Sequence, residues 1–265
     1  MKMCFFLTLL IIMLTVLSGQ SIDSLIIVNK EKIERANNHW DYKSMEESRN
    51  NFVRRLGASN KDWLINYYIA YCDYRLVNYY SNSEGNQDTE KAARYLEDGI
   101  KRLNESNDAN QEFSDGHALL AALYSRKIRL DNKFWSGFIY GKKSSSAIDR
   151  SIEIDKNNPR AYLMKGMNAI FTPPKWGGDK EKGLELFTKS IELFEMEERD
   201  SVSPDWGYSE VYAWKGVTEK DLGLIDEAKK SYKKALKLNP DYSWVRYVLL
   251  PQLKKESSNP SETDN

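Results

Sequence analysis

The chain has 265 residues, enough for one large domain or an extended array of repeats. Hydrophobic residues make up 41% and charged residues 29%, so most of it can fold around a core. Lys+Arg and Asp+Glu are equal at 39 each, which excludes a basic excess that would draw the chain to nucleic acid or to an anionic membrane as a whole.

The first residues, "MKMCFFLTLLIIMLTVLSGQS", have the layout of a secretory signal. Lys2 supplies the positive start, Phe5 to Leu17 is apolar, and Ser18, Gly19 and Ser21 are small residues suited to cleavage. The run falls short of the roughly 20 apolar residues of a membrane span, and Asp23 interrupts any extension. The expected divisions are a signal peptide over 1–21, a helical repeat domain over 22–255 and a disordered tail over 256–265. Gln20 stands where a lipoprotein signal has cysteine, so no lipid anchor is expected. Cleavage leaves Cys72 as the sole cysteine, unable to form an internal disulfide, and its apolar setting predicts a buried thiol.

Beyond residue 22, apolar residues recur at intervals of three and four, which predicts helix throughout. Residues 24–57 form a first helix pair. "DWLINYYIAYCDYRLVNYY" pairs with "DTEKAARYLEDGIKRL". In the first of these, Ile65, Ile69, Cys72 and Leu76 make one stripe, and Tyr67, Tyr71 and Tyr74 make a second, nearly opposite. Such a helix is either buried on both sides or lends one side to a ligand.

A third unit runs from His117 to Asp155, with a long loop containing "FWSGFIYG". A fourth begins at Tyr162 and Gly166 and continues through Gly183, Phe187 and Ser190. Between its helices lies "FTPPKWGGDKEKGLELF", where Gly178 and Gly183 have the spacing of a phosphate-cradling loop. That chemistry needs lysine and Ser/Thr after the second glycine, following a strand. Leu184 and Glu185 occupy those places, and the preceding stretch reads as helix. The loop is therefore an enlarged turn: Pro173 and Pro174 stop the first helix, Gly177 and Gly178 let the chain turn, and Asp179 caps the next helix. "FEMEERD", after it, reads as a solvated charge run. It lacks the D-x-D-x-D-G order of a calcium loop.

The clearest unit is "SEVYAWKGVTEKDLGLIDEAKKSYKKALKLNP". Tyr212, Gly216, Gly223, Ala228, Tyr232, Ala235 and Pro240 resemble the tetratricopeptide (TPR) unit, a helix-turn-helix of about 34 residues. Lys215 and Glu219 depart from its pattern, which prefers leucine and an aromatic residue. "DYSWVRYVLLPQLKKE" then reads as a closing helix. The whole chain is similar to a bacterial family of secreted TPR-like proteins through "YIAYCDYRL", "NNPRAYLMKG", "TPPKWGGDKEKGLELF" and "PDYSWVRYVLLP". A looser likeness, in the style of its turn, is to the TPR-like subunit of periplasmic TRAP transporters.

These resemblances imply an all-α solenoid of about five helix pairs plus a closing helix, in which the first helix of each pair lines a concave groove. Carried onto this chain, the groove positions add Arg126, Leu163, Met167, Phe171 and Lys220 to the tyrosine stripe of Tyr67, Tyr71 and Tyr74. The stripe can equally pack against neighbouring repeats. No catalytic or metal-binding constellation stands out: there are two histidines, His39 and His117, and no HExxH, CxxC or G-x-S-x-G motif. His117 falls at a packing position. The sequence thus predicts a periplasmic, non-catalytic protein without a cofactor or metal. A protein partner is expected in the groove, with a small ligand or a transporter's solute-binding protein as the alternative. Neither nucleic-acid binding nor stable membrane insertion of the mature chain is expected.

Overall fold

The computed structural model describes residues 21–258 apart from 86, 132 and 134. The signal run before Ser21 and the tail beyond Ser258 lie outside the described residues. Among the described residues there are eleven α-helices and no strand. They are α1 (Ile22–Asn38), α2 (Tyr42–Val53), α3 (Asp62–Asn82), α4 (Thr89–Ala109), α5 (Ser114–Asp131), α6 (Ser136–Ile154), α7 (Pro159–Phe171), α8 (Lys180–Met196), α9 (Tyr208–Asp221), α10 (Ile225–Leu238) and α11 (Leu250–Ser258). They pack as five successive pairs, from α1/α2 to α9/α10. A π-helical turn, Val245–Leu249, leads into α11, which overlaps the start of the expected tail.

Local chemistry sets the helix ends. Asp41, Asp88, Asn158 and Asp179 each accept a hydrogen bond from a backbone N–H of the first turn, satisfying a donor the helix leaves unpaired. Thr172, ahead of Pro173, is extended and ends α7. Within pairs, a small residue meets a large one. A Cβ added at Gly166 would stand 2.5 Å from Phe187 Cε1, and one at Gly216 2.5 Å from Tyr232 Cε1. Glycine at these two positions is what lets the paired helices approach so closely.

The enlarged turn between α7 and α8 is a structural device. Gly177 has φ +91°, and a Cβ on Gly178 would stand 1.6 Å from the carbonyl oxygen of Thr172. Asp179 caps α8 through Lys182 N at 2.8 Å. The third unit corrects an expectation: "SGFIYG" is not loop but the opening of α6. Gly137 and Gly141 have open space around them there, and the extra residues lengthen the hairpin. Lys215 and Glu219, the two departures in the last unit, contact each other one helical turn apart, and Ser231 Oγ donates to Glu219 Oε2 at 2.5 Å. The pair satisfies its own charges where the repeat pattern has leucine and an aromatic residue.

The array curls until its ends meet. Lys30 Nζ on α1 donates to the carbonyls of Ser201 (3.1 Å) and Ser203 (2.6 Å) and pairs with Asp205 at 3.0 Å. Asn38 and Asn239 exchange hydrogen bonds at 3.1 Å.

Candidate functional site

The first helices of the pairs face inward, but the groove they form is occupied by the chain itself. The connection 197–207, between α8 and α9, lies across it. Trp206 is 3% exposed and donates from Nε1 to the Tyr67 hydroxyl at 2.7 Å. Its ring stacks on Tyr71 at 6.0 Å. Tyr68 donates to the carbonyl of Val202 at 2.6 Å. Arg160, with its side chain 1% exposed, donates to the Pro204 carbonyl at 2.6 Å and to Glu197 Oε1 at 2.6 Å, and its guanidinium lies 5.7 Å from the Trp206 ring. Four polar or aromatic anchors therefore hold one segment, and the carbonyls of Ser201, Val202, Ser203 and Pro204 find donors inside the fold.

The tyrosine stripe and Leu163 are thereby removed from the open groove. Tyr67, Tyr71, Tyr74 and Leu163 are buried at 0%, 2%, 6% and 1% exposure, so the expectation that they form accessible surface is corrected. Ile65, Ile69, Cys72 and Leu76, opposite, are buried as well, so α3 is enclosed on both sides. Burial raises the Tyr67 hydroxyl well above its ordinary pKa, and it stays protonated beside the indole. "FEMEERD" is likewise only partly a solvated run, because Glu197 is committed to buried Arg160.

Above Trp206 a polar bridge spans the groove. Arg75 Nη2 donates to Glu210 Oε1 at 2.6 Å, to the Tyr71 hydroxyl at 2.7 Å and to Glu34 Oε1 at 3.2 Å, tying α3 to α9 and α1. Tyr71 donates in turn to Glu34. A second buried pair lies on the other side of α3, where Arg49 Nε meets Asp73 Oδ1 at 2.5 Å. Burial pushes the Asp73 carboxyl up to about 7 against the pull of Arg49.

Phe171 is an exposed ring near the C-terminal end of the array. Phe171 on α7, 62% exposed, meets Trp214 on α9 edge-on at 5.3 Å. Trp214 packs on Trp244 at 4.9 Å, and Trp244 on Tyr242 at 6.2 Å. Three alternate elements, α7, α9 and the segment after α10, thus bring together four rings, with Phe171 exposed and the other three half-buried, and the sequence names Phe171 alone among them. The "DYSW" that supplies two of them is readable only as the start of a closing helix. Met167, Lys220 and Arg126 are half-buried on inward-facing helices. Arg126 lies 5.5 Å over the Tyr74 ring, at the edge of the filled region. His117 is half-buried beside Asn107, at 3.4 Å. Among the described residues no group of three or more His, Cys, Asp or Glu side chains could hold a metal ion, and no helix is long and apolar enough to cross a membrane.

A family model of the tetratricopeptide repeat matches residues 209–242. Among solved structures, the HusA haemophore from Porphyromonas gingivalis is similar, with 22% identity, TM-score 0.60, and coverage of 73% of this chain and 92% of that one. A thermophilic TPR protein of Thermus thermophilus is similar at 14% identity, TM-score 0.60, covering 86% and 99%. No curated protein sequence matches. The matched unit and the shared architecture show that this chain has a TPR-like helical repeat fold, a fold that in general mediates protein interactions and is typically non-catalytic.

Proposed function

We propose that the protein is a non-catalytic, exported interaction protein that binds a protein partner along the ring row of Phe171, Trp214 and Trp244, with Met167, Lys220 and Arg126 at its flank. The observation that carries this reading is an exposed Phe171 backed by the half-buried rings of Trp214 and Trp244, on a concave face that the chain otherwise fills with its own segment. Large rings that combine apolar area with few rotatable bonds are the usual anchors of a protein contact. Export rests on Lys2, the apolar run Phe5–Leu17 and the small residues that follow. It predicts a native N-terminus between Ser18 and Ile22 by mass spectrometry, and an intact Met1 contradicts it. The test of binding is affinity capture from a periplasmic extract by the wild type and by Phe171→Ala with Trp244→Ala. The reading expects a partner whose affinity drops by about 1–3 kcal/mol per ring removed. Undiminished capture by the double variant contradicts it.

The same rings favour a second reading, a flat aromatic ligand stacked on the row, of the kind the name of the similar haemophore indicates for that protein. Titration with haem, followed by absorbance, separates the two. A saturable change lost in Phe171→Ala supports the ligand, and a flat titration supports the protein partner.

A further inference from the structure

Each pair begins with its inward helix running the same way, so the five within-pair turns share one edge of the array. Contacts along that edge bear this out. Trp40 packs on Tyr79 at 5.8 Å, Arg129 Nη2 donates to Asn82 Oδ1 at 3.1 Å, and Lys180 pairs with Asp221 at 2.8 Å. Two adjacent turns on it, α5/α6 and α7/α8, project apolar side chains into solvent. Trp135, Phe138 and Ile139 are 66%, 70% and 47% exposed, and Trp176 is 71% exposed. From the N-cap Trp135 into α6, Trp135, Phe138, Ile139 and Lys142 follow the i, i+3, i+4, i+7 pattern of one face, opposite the buried Ser144, Ala147, Ile148 and Ser151. At the opposite edge, Met196 and Leu238 stand singly at helix ends, and Tyr247 and Val248 follow in the turn after α10.

Lysines surround the clustered side chains. Lys142 and Lys175 are exposed, and Lys133 has a side chain 76% exposed. The carboxylates closest to hand are already engaged. Asp131 accepts from Ser136 at 2.9 Å and pairs with Lys133 at 3.4 Å, and Asp179 caps α8. Exposed rings with cations among them match an anionic lipid surface in both apolar area and charge. Tryptophan and lysine are at home at the headgroup level of a bilayer, where ring and alkyl stem bury while the polar ends stay wet. The α3/α4 turn interrupts the edge with Glu84 and Gly85 on one side of the two turns, and on the other side the α9/α10 turn adds Leu224, 42% exposed.

We propose that this edge docks the protein peripherally on an anionic lipid bilayer, with Trp135, Phe138, Ile139 and Trp176 in the headgroup layer and Lys142 and Lys175 facing lipid phosphates. The zero net charge of the chain does not oppose this, because local patches set attraction within about 8–10 Å of a surface.

The test is co-sedimentation with phosphatidylcholine vesicles, with and without a third of phosphatidylglycerol, for the wild type, Phe138→Ser/Trp176→Ser and Lys142→Glu/Lys175→Glu. All variants keep the same chain length, so the apolar run Phe5–Leu17 contributes equally to each. The substituted side chains are exposed, and unchanged circular-dichroism melts confirm folding. Binding should be stronger on the anionic vesicles and fall roughly tenfold in the Ser variant. It should fall about fivefold or more per lysine reversed, the equivalent of about 1 kcal/mol at an anionic surface. Wild-type binding indifferent to phosphatidylglycerol, or variants that sediment like the wild type, overturns the proposal. So does capture of a soluble protein through this edge when vesicles bind nothing.

Discussion

The indole nitrogen of Trp206 donates to the hydroxyl of Tyr67 at 2.7 Å, between residues 139 positions apart. This bond joins the connection before α9 to the centre of α3 and accounts for why the concave face is closed there. Trp206→Ala should lose about 3–5 kcal/mol of stability, as for a buried aromatic truncation. Tyr67→Phe keeps the ring but strands the indole donor, and should lose about 1–3 kcal/mol. Urea melts measure both. Losses below about 1 kcal/mol for Trp206→Ala would mean that the segment rests on the groove without filling it.

Lys215 and Glu219 replace a leucine and an aromatic residue of the repeat pattern and satisfy each other. Lys215→Leu alone leaves Glu219, 3% exposed, with Ser231 as its remaining bonded partner, and should cost about 2–4 kcal/mol. Adding Glu219→Phe should recover most of that loss, since the unit then regains the common packing. A double-mutant cycle on melting data reads the coupling, and additive effects would contradict it.

Gly178 resembles part of a phosphate loop but is there because the Thr172 carbonyl leaves no room for a Cβ. Gly178→Ala should cost about 2–3 kcal/mol, because a backbone oxygen cannot rotate away as a side chain can. Thermal melts with and without ATP should show the same midpoint in the wild type, since a ligand of the native state would raise it. An ATP-dependent rise would reopen the nucleotide reading.

Asp73 titrates near 7 in the folded protein because burial outweighs the pull of Arg49, well above its ordinary value. Between about pH 4 and pH 7 the folded chain therefore holds a proton that the unfolded chain has released, and stability falls as pH rises through that window. Asp73→Asn carries no titrating proton, so it should flatten this part of the stability curve. Urea melts across the window test it, and an identical slope in the variant would contradict the assignment.

The helices are readable in the sequence because their cues are local. Asp41, Asp88, Asn158 and Asp179 cap, Pro173 stops α7, and Gly216 faces Tyr232 within one unit. The "FWSGFIYG" stretch misleads because its two glycines weaken a helical reading, although neither is needed for a turn. The site is less legible. The two stripes of α3 announce two contact faces but cannot say what covers the second. The answer, Trp206, lies in a polar connection far along the chain, where one tryptophan among charges is the available signal. The ring row is hidden for a related reason: Phe171, Trp214 and Trp244 come from three elements that meet only once the solenoid forms.

The central claim is that the working surface is the exposed Phe171 with the rings behind it and not the tyrosine stripe. Site-directed photo-crosslinking in living cells tests it most directly, with benzoylphenylalanine introduced at Phe171 and, as a control, at Leu238 on α10, 42% exposed. The account predicts a discrete covalent protein adduct from position 171 and none from position 238. Equal adducts from both positions, or none from position 171 in correctly folded protein, would contradict it.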